Sequence, residues 1–191
     1  MRYREYAPPA HLAGSVECFW TFDADASQGT HRVLPDACED IVFLPGSGLL
    51  AAVGTMTKAQ VYTHAQPQTL VGVRFHPSMA RQFLGVAAHE LTDGLVDLGS
   101  LWGARGEQLR SRLSSAATGE ESVARLAEEL RPVEETAARR WCCGSPNRAA
   151  ASGWTIWPGS LDSASGTCGG SSWSRRASRR SYSAGWCGFA V

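Results

Sequence analysis

Beyond Pro132 the sequence carries no sustained apolar period, neither helical nor strand-like. Any core therefore has to be built from residues 1–131, which fall into two regimes that meet at Pro77. Before it, short apolar runs follow one another closely between clusters of Gly, Pro, Ser and Asp, the pattern of antiparallel strands joined by turns. After it, apolar residues recur at helical spacing.

Tyr6 to Leu12 reads as an extended lead-in, because Pro8 and Pro9 each push the preceding residue away from helix. Val16 to Phe22 alternates as a half-buried strand, with Val16, Cys18, Trp20 and Phe22 on one face and Phe19 on the other, under a covering helix. His31 to Pro45 reads as strand, tight turn, strand. Val33 and Leu34 end one apolar run, Pro35-Asp36 has turn chemistry, and Ile41 to Leu44 forms the next run. Arg32, Glu39 and Asp40 flank that turn, where a pair between Arg32 and Asp36 or Asp40 would orient it. Leu49 to Val53, Gln60 to Tyr62 and Thr69 to Phe75 bring the total to about six or seven strands, enough for a small antiparallel barrel or sandwich.

His76-Pro77-Ser78 starts a helix carrying Met79, Phe83 and Leu84, and Gly85 ends it. Leu95, Leu98, Leu101 and Trp102, followed by Leu109 and Leu113, predict one or two amphipathic helices. Glu120 to Arg131 predicts another, with Val123, Leu126, Ala127 and Leu130 on one stripe between Gly119 and Pro132 and its acids toward the favourable N-terminal end. The fold class is α+β: a β-rich core over about residues 12–76, helices over about 78–131, and an irregular C-terminal tail over 132–191.

Net charge is zero, but its distribution is uneven: residues 1–138 hold 17 of 18 carboxylates and 11 of 18 lysines and arginines, whereas Asp162 is the single acid after Arg139. Such a split suits an acidic domain with a basic nucleic-acid arm, or two stretches of different origin. Cys18 and Cys38 sit in strand contexts as buried thiols, whereas Cys142, Cys143, Cys168 and Cys187 lie among Gly, Ser and Arg. No apolar run approaches a membrane span, and the N-terminus lacks the apolar core of a secretory signal, so a cytoplasmic location is expected.

Several segments in order carry a resemblance: Val16-x-Cys18-Phe19-Trp20, then Arg32-Val-Leu-Pro-Asp36-x-Cys38-x-Asp40-Ile-Val-Phe43, then Gly54-Thr-Met-Thr57. Gly72-Val-Arg-Phe75-x-Pro77, Phe83-Leu-Gly-Val86, Glu90-Leu-Thr-Asp93 and Leu101-Trp102-Gly103 follow. Together, over about residues 3–131, they resemble the N-terminal domain of AraC-type bacterial transcription regulators. The resemblance implies a cupin-like regulatory module for effector sensing or dimerisation, ahead of a DNA-binding domain of two helix-turn-helix units. Its partners would be a small-molecule effector, a second copy in a homodimer and, in the intact family, DNA. Ala37 stands where the family usually has Gly, which stiffens the turn if a positive φ is required.

The two helix-turn-helix units do not appear after Pro132. Trp, Cys, Arg, Gly and Ser dominate instead, the residues a GC-rich gene yields out of frame. Gly153 to Gly159 must be encoded GGN TGG ACN ATH TGG CCN GGN, and reading from the third base forces an Asp and an Ala among Leu, Met, Val and Arg/Gly/Trp positions. With GC-favoured third bases and suitable serine and leucine codons, the shifted frame through Trp173 can spell a Leu-Ala-x-x-Leu-Gly-Leu-Ser turn and an Arg-x-Leu-x-Arg-x-Phe recognition helix that resemble those of AraC-type regulators. The expectation is a frameshift near Arg139 to Trp141, with sequence-specific DNA binding lost from this chain and a disordered tail in its place. The alternative is a small nucleic-acid-binding protein whose basic arm includes Ser174 to Arg180, with Trp173 and Trp186 stacking on bases.

A less favoured alternative is a cupin-like enzyme. Its metal would need closely spaced histidines, and His11, His31, His64, His76 and His89 are scattered. No nucleophile elbow, phosphate-binding loop or Cys-x-x-Cys pair occurs, so neither catalysis nor a cofactor is expected. A ligand would instead use an apolar pocket in the sheet, lined by Trp20, Phe22, Phe43, Val73 and Phe75, with Arg74 or Arg32 fixing a polar group beside Asp36 and Asp40; the alternative, which small-barrel packing favours, is that these aromatics simply fill the core.

Overall fold

A computed structural model describes residues 2–24, 30–64 and 66–133. The expectations for the Cys-, Trp- and Arg-rich stretch from Arg139 onward lie outside the described residues. Among the described residues there are eight strands: β1 (Arg2–Tyr6), β2 (Val16–Ala24), β3 (Thr30–Val33), β4 (Asp40–Leu44), β5 (Leu49–Val53), β6 (Gln60–Thr63), β7 (Gln68–Phe75) and β8 (Leu95–Asp97). Six form one antiparallel sheet in the order β1-β2-β7-β4-β5-β8, and β3 pairs with β6 in a separate two-stranded ribbon. Helices α1 (Arg81–Leu84), α2 (Ala88–Leu91), α3 (Leu98–Trp102), α4 (Ala104–Ser114) and α5 (Gly119–Glu129) follow the strands.

Strand parity divides the large sheet into two apolar layers. Phe19, Ile41, Phe43, Leu50, Ala52, Val71, Val73 and Phe75 pack with the helical residues Phe83, Leu84, Leu91, Leu98, Leu109, Leu113, Val123 and Leu126. Phe19 thus points under the helices, as its alternation requires. Cys18, Trp20, Phe22, Ala24, Val42, Leu44 and Leu70 form the second layer, on the opposite face. Val16 does not follow its expected face: a register shift between Val16 and Cys18 turns it into the helix-side core.

The expected hairpin over His31 to Pro45 is not formed. β3 leaves for the ribbon, where His31 pairs with Tyr62, while β4 pairs with β5 and β7. Residues 34–39 are therefore a passage between two sheets. Leu95 to Asp97, expected in a helix, pairs with β5 as an edge strand. Asp97 then caps α3 by accepting the amide of Ser100 at 3.0 Å.

Helix ends follow the local chemistry. Gly85 ends α1 at φ +77, the left-handed conformation that costs glycine least. Thr118 caps α5 through its side-chain oxygen, with Glu120 and Glu121 in the first turn. Val123 and Leu126 face the core, and Leu130 just beyond the helix is also buried. Among the described residues no helix is long and apolar enough to cross a membrane.

Candidate functional site

The ribbon-side face of the sheet differs from the helix side in holding charge. Asp40 lies opposite Arg74 in the β4–β7 register, and Arg74 lies opposite Cys18 across β2. Arg74 Nε and Nη2 donate to the two carboxylate oxygens of Asp40 at 3.3 and 3.4 Å, a fork-to-fork pair. Arg74 Nη2 also lies 3.6 Å from Asp36 Oδ2, and the guanidinium side chain is only 6% exposed.

Asp36 reaches this cluster because of its turn. Its Oδ1 accepts the Cys38 amide at 3.0 Å, and Ala37 takes φ +62 between them. The left-handed residue implied by the resemblance is therefore present, occupied by an alanine at a cost of about 1 kcal/mol. Burial pushes the Asp40 carboxyl up to about 6, with the Arg74 charge and hydrogen bonds opposing the rise. Burial works against the charge on Arg74 as well, but Asp40 and then Asp36 outweigh it and hold the guanidinium protonated.

Trp20 lies across the middle of this face. A Cβ built on Gly72, its partner on β7, would come 2.3 Å from the indole ring and 2.8 Å from Nε1. Glycine at 72 is what lets the ring rest over the strand. Trp20 is 7% exposed, and its Nε1–H has no hydrogen-bond acceptor among the described residues. Tyr3 stands beside it with ring centroids 6.1 Å apart. Burial and the nearby Glu5 charge push the Cys18 thiol up to about 12, so it stays protonated and is a poor nucleophile near neutral pH.

The ribbon closes this side with two imidazoles. Their approach is a product of the β3–β6 pairing: His64 Nε2 and His31 Nδ1 meet at 2.9 Å although 33 residues separate them. The His31 ring centroid lies 4.7 Å from that of Phe22 and 5.2 Å from that of Tyr62, and the His64 ring lies 5.8 Å from Phe22, all three pairs tilted. Gln68 hydrogen-bonds the outer Nδ1 of His64. Burial, then the neighbouring His64, brings His31 down to about 4, and burial lowers His64, so both rings are neutral near pH 7. Burial, then the Asp40 charge, raises the Tyr62 hydroxyl, linking the ribbon electrically to the ion cluster.

Of the residues singled out from sequence, Trp20, Asp36, Asp40 and Arg74 share this face. Phe43 and Phe75 do not: both are fully buried on the helix side, along with Val73. Arg32 is exposed on the ribbon opposite Val61, and Arg74 takes the role in pairing with Asp36 and Asp40 that Arg32 was expected to fill. Sequence reasoning missed Tyr3, Tyr62 and the His31–His64 pair. Strand parity was the available signal for Tyr3, whereas nothing local reports that β3 and β6 are partners.

Among the described residues, no group of three or more His, Cys, Asp or Glu side chains is placed to hold a metal ion. The face thus combines an ion cluster around a buried guanidinium, an aromatic surface and one unmatched donor on an apolar layer. Residues 4–97, which run from within β1 to the end of β8, match a protein family described as a domain of unknown function, DUF6597. No curated protein and no solved structure was found to match the chain.

Proposed function

We propose that this domain is the effector-sensing or dimerising regulatory part of an AraC-type transcription regulator, that it binds rather than catalyses, and that the chain has lost sequence-specific DNA binding. The observation that carries the sensing role is the Arg74–Asp40–Asp36 cluster, set beside the unmatched Trp20 N–H on a layer otherwise made of apolar side chains. Desolvating these ions is expensive, and a core of this size has no packing need for them. The ordered motifs from Val16 to Gly103 support the family assignment, and the protonated Cys18 supports binding over nucleophilic chemistry. The out-of-frame reading after Arg139 supports loss of operator binding.

A thermal-shift screen of small metabolites against the full chain tests the sensing role. At least one compound is expected to raise the melting temperature, with the rise abolished in Arg74→Met. A mobility-shift assay with promoter DNA at physiological salt tests the second part. A sequence-specific complex there would overturn the loss of operator binding and favour the basic-arm alternative.

A further inference from the structure

Resting on the sensing reading, we propose that the ribbon-side face takes an uncharged, planar molecule that accepts a hydrogen bond from Trp20 Nε1. Charge sets the first limit. Arg74 would by itself invite a carboxylate or phosphate, but Asp40 already engages it through both oxygens and Asp36 lies 3.6 Å away. Two carboxylates around one guanidinium leave this corner with a surplus of negative charge, which repels an anionic ligand.

Trp20 sets the second limit. Its N–H is a donor only, it is buried, and it meets no acceptor among the described residues. A buried donor left unmatched is unfavourable, and a ligand lone pair removes that penalty. The surplus negative charge attracts a cation, but an ammonium group has no lone pair to offer and leaves the Trp20 donor unmatched. The indole spans from β2 over Gly72 on β7, next to Val42 on β4, which places the donor above the central strand of the three and one same-face position from Arg74.

Shape sets the third. Trp20, Tyr3 and Phe22 present ring surfaces on this layer, and Leu70, Val42 and Leu44 fill between them. Flat aromatic bodies match ring surfaces by offset or edge-to-face stacking. A planar body bearing a carbonyl, ether or ring nitrogen satisfies all three limits.

Four probes of similar size separate these terms: acetophenone (neutral, with an acceptor), ethylbenzene (no acceptor), benzoate (anionic) and benzylammonium (cationic). The readout is the indole N–H resonance of Trp20 in the ¹⁵N-labelled full chain, identified by its contact with the Gly72 α protons. Acetophenone is expected to move it downfield and saturably, binding about fivefold or more tighter than each of the other three, the ratio one buried hydrogen bond supplies. In Trp20→Phe the advantage of acetophenone over ethylbenzene is expected to fall to about one. If that variant folds poorly, the Trp20 resonance of the unaltered chain still distinguishes the four probes.

Tighter binding of benzoate or benzylammonium, or equal binding of ethylbenzene, overturns the inferred ligand class while leaving the sensing role intact. Failure of all four probes to move the Trp20 resonance also overturns it. The sensing role is then judged separately, by whether any compound in the metabolite screen stabilises the chain without touching Trp20.

Discussion

The helix side and the ribbon side of the six-stranded sheet are made from alternate residues of the same strands, yet they are built differently. On the helix side Phe19, Ile41, Phe43, Val71, Val73 and Phe75 meet five helices in a layer whose named members are all apolar. On the ribbon side, Trp20, Phe22 and Val42 share their layer with Asp40 and Arg74, under a cover holding two neutral imidazoles. The first face can supply stability alone, through area removed from water. The second holds ionised groups out of water beside an unmatched N–H, which is costly for folding and useful for recognition.

This contrast makes its largest prediction at Phe43, a fully buried ring on the helix side. Phe43→Ala is expected to cost about 3–5 kcal/mol in urea unfolding, without altering the preference among small-molecule probes on the other face. A change in that preference would show that the two faces are coupled. Asp40→Ala should come next, at about 3 kcal/mol, because it takes both hydrogen-bond acceptors away from the buried Arg74 and leaves Asp36, 3.6 Å away, as its remaining named counter-charge. A loss below about 1 kcal/mol would mean that the cluster is well hydrated, and the contrast in burial would fail.

Ala37→Gly is expected to stabilise the domain by about 1 kcal/mol, since glycine accepts φ +62 without the side-chain clash. Stability should rise while the approach of Asp36 to Arg74 is kept. The smallest effect concerns pH. The folded His31 sits at about 4, below its ordinary 6.5, so its stabilising contribution is complete above pH 6.5 and is lost as pH falls through about 4. His31→Phe keeps a ring against Phe22 but cannot take a proton. Its urea midpoint should therefore fall less steeply than that of the unaltered chain between pH 6.5 and 4. Asp40, raised to about 6, acts in the opposite sense, losing its contribution as pH rises through that value. It is common to both proteins and cancels in the comparison.

Much of the fold was legible where the signal was local. Alternation in Val16 to Phe22 separated Phe19 from Trp20, and Gly85 marked the end of α1. The stripe of Val123, Leu126 and Leu130 likewise anticipated the buried face of α5. The site was legible in part. Trp20, Asp36, Asp40 and Arg74 are recognisable from the sequence, but aromatic character alone does not separate them from Phe43 and Phe75, which lie beneath the helices. Parity within a strand is local information; the relative parity of two strands depends on register, which one bulge between Val16 and Cys18 is enough to change.

The amino-acid sequence by itself determined the two regimes on either side of Pro77, the turn chemistry at Pro35-Asp36 and the strand runs that carry Trp20, Asp40 and Arg74. Only the tertiary structure decided that β3 abandons β4 for β6, that His31 meets His64, and that Arg74 rather than Arg32 receives both aspartates. The physical reason is that propensity, alternation and turn formation act over a few neighbouring residues. Strand pairing is chosen by how well distant apolar faces pack, and by whether each buried charge finds its counter-charge when they do.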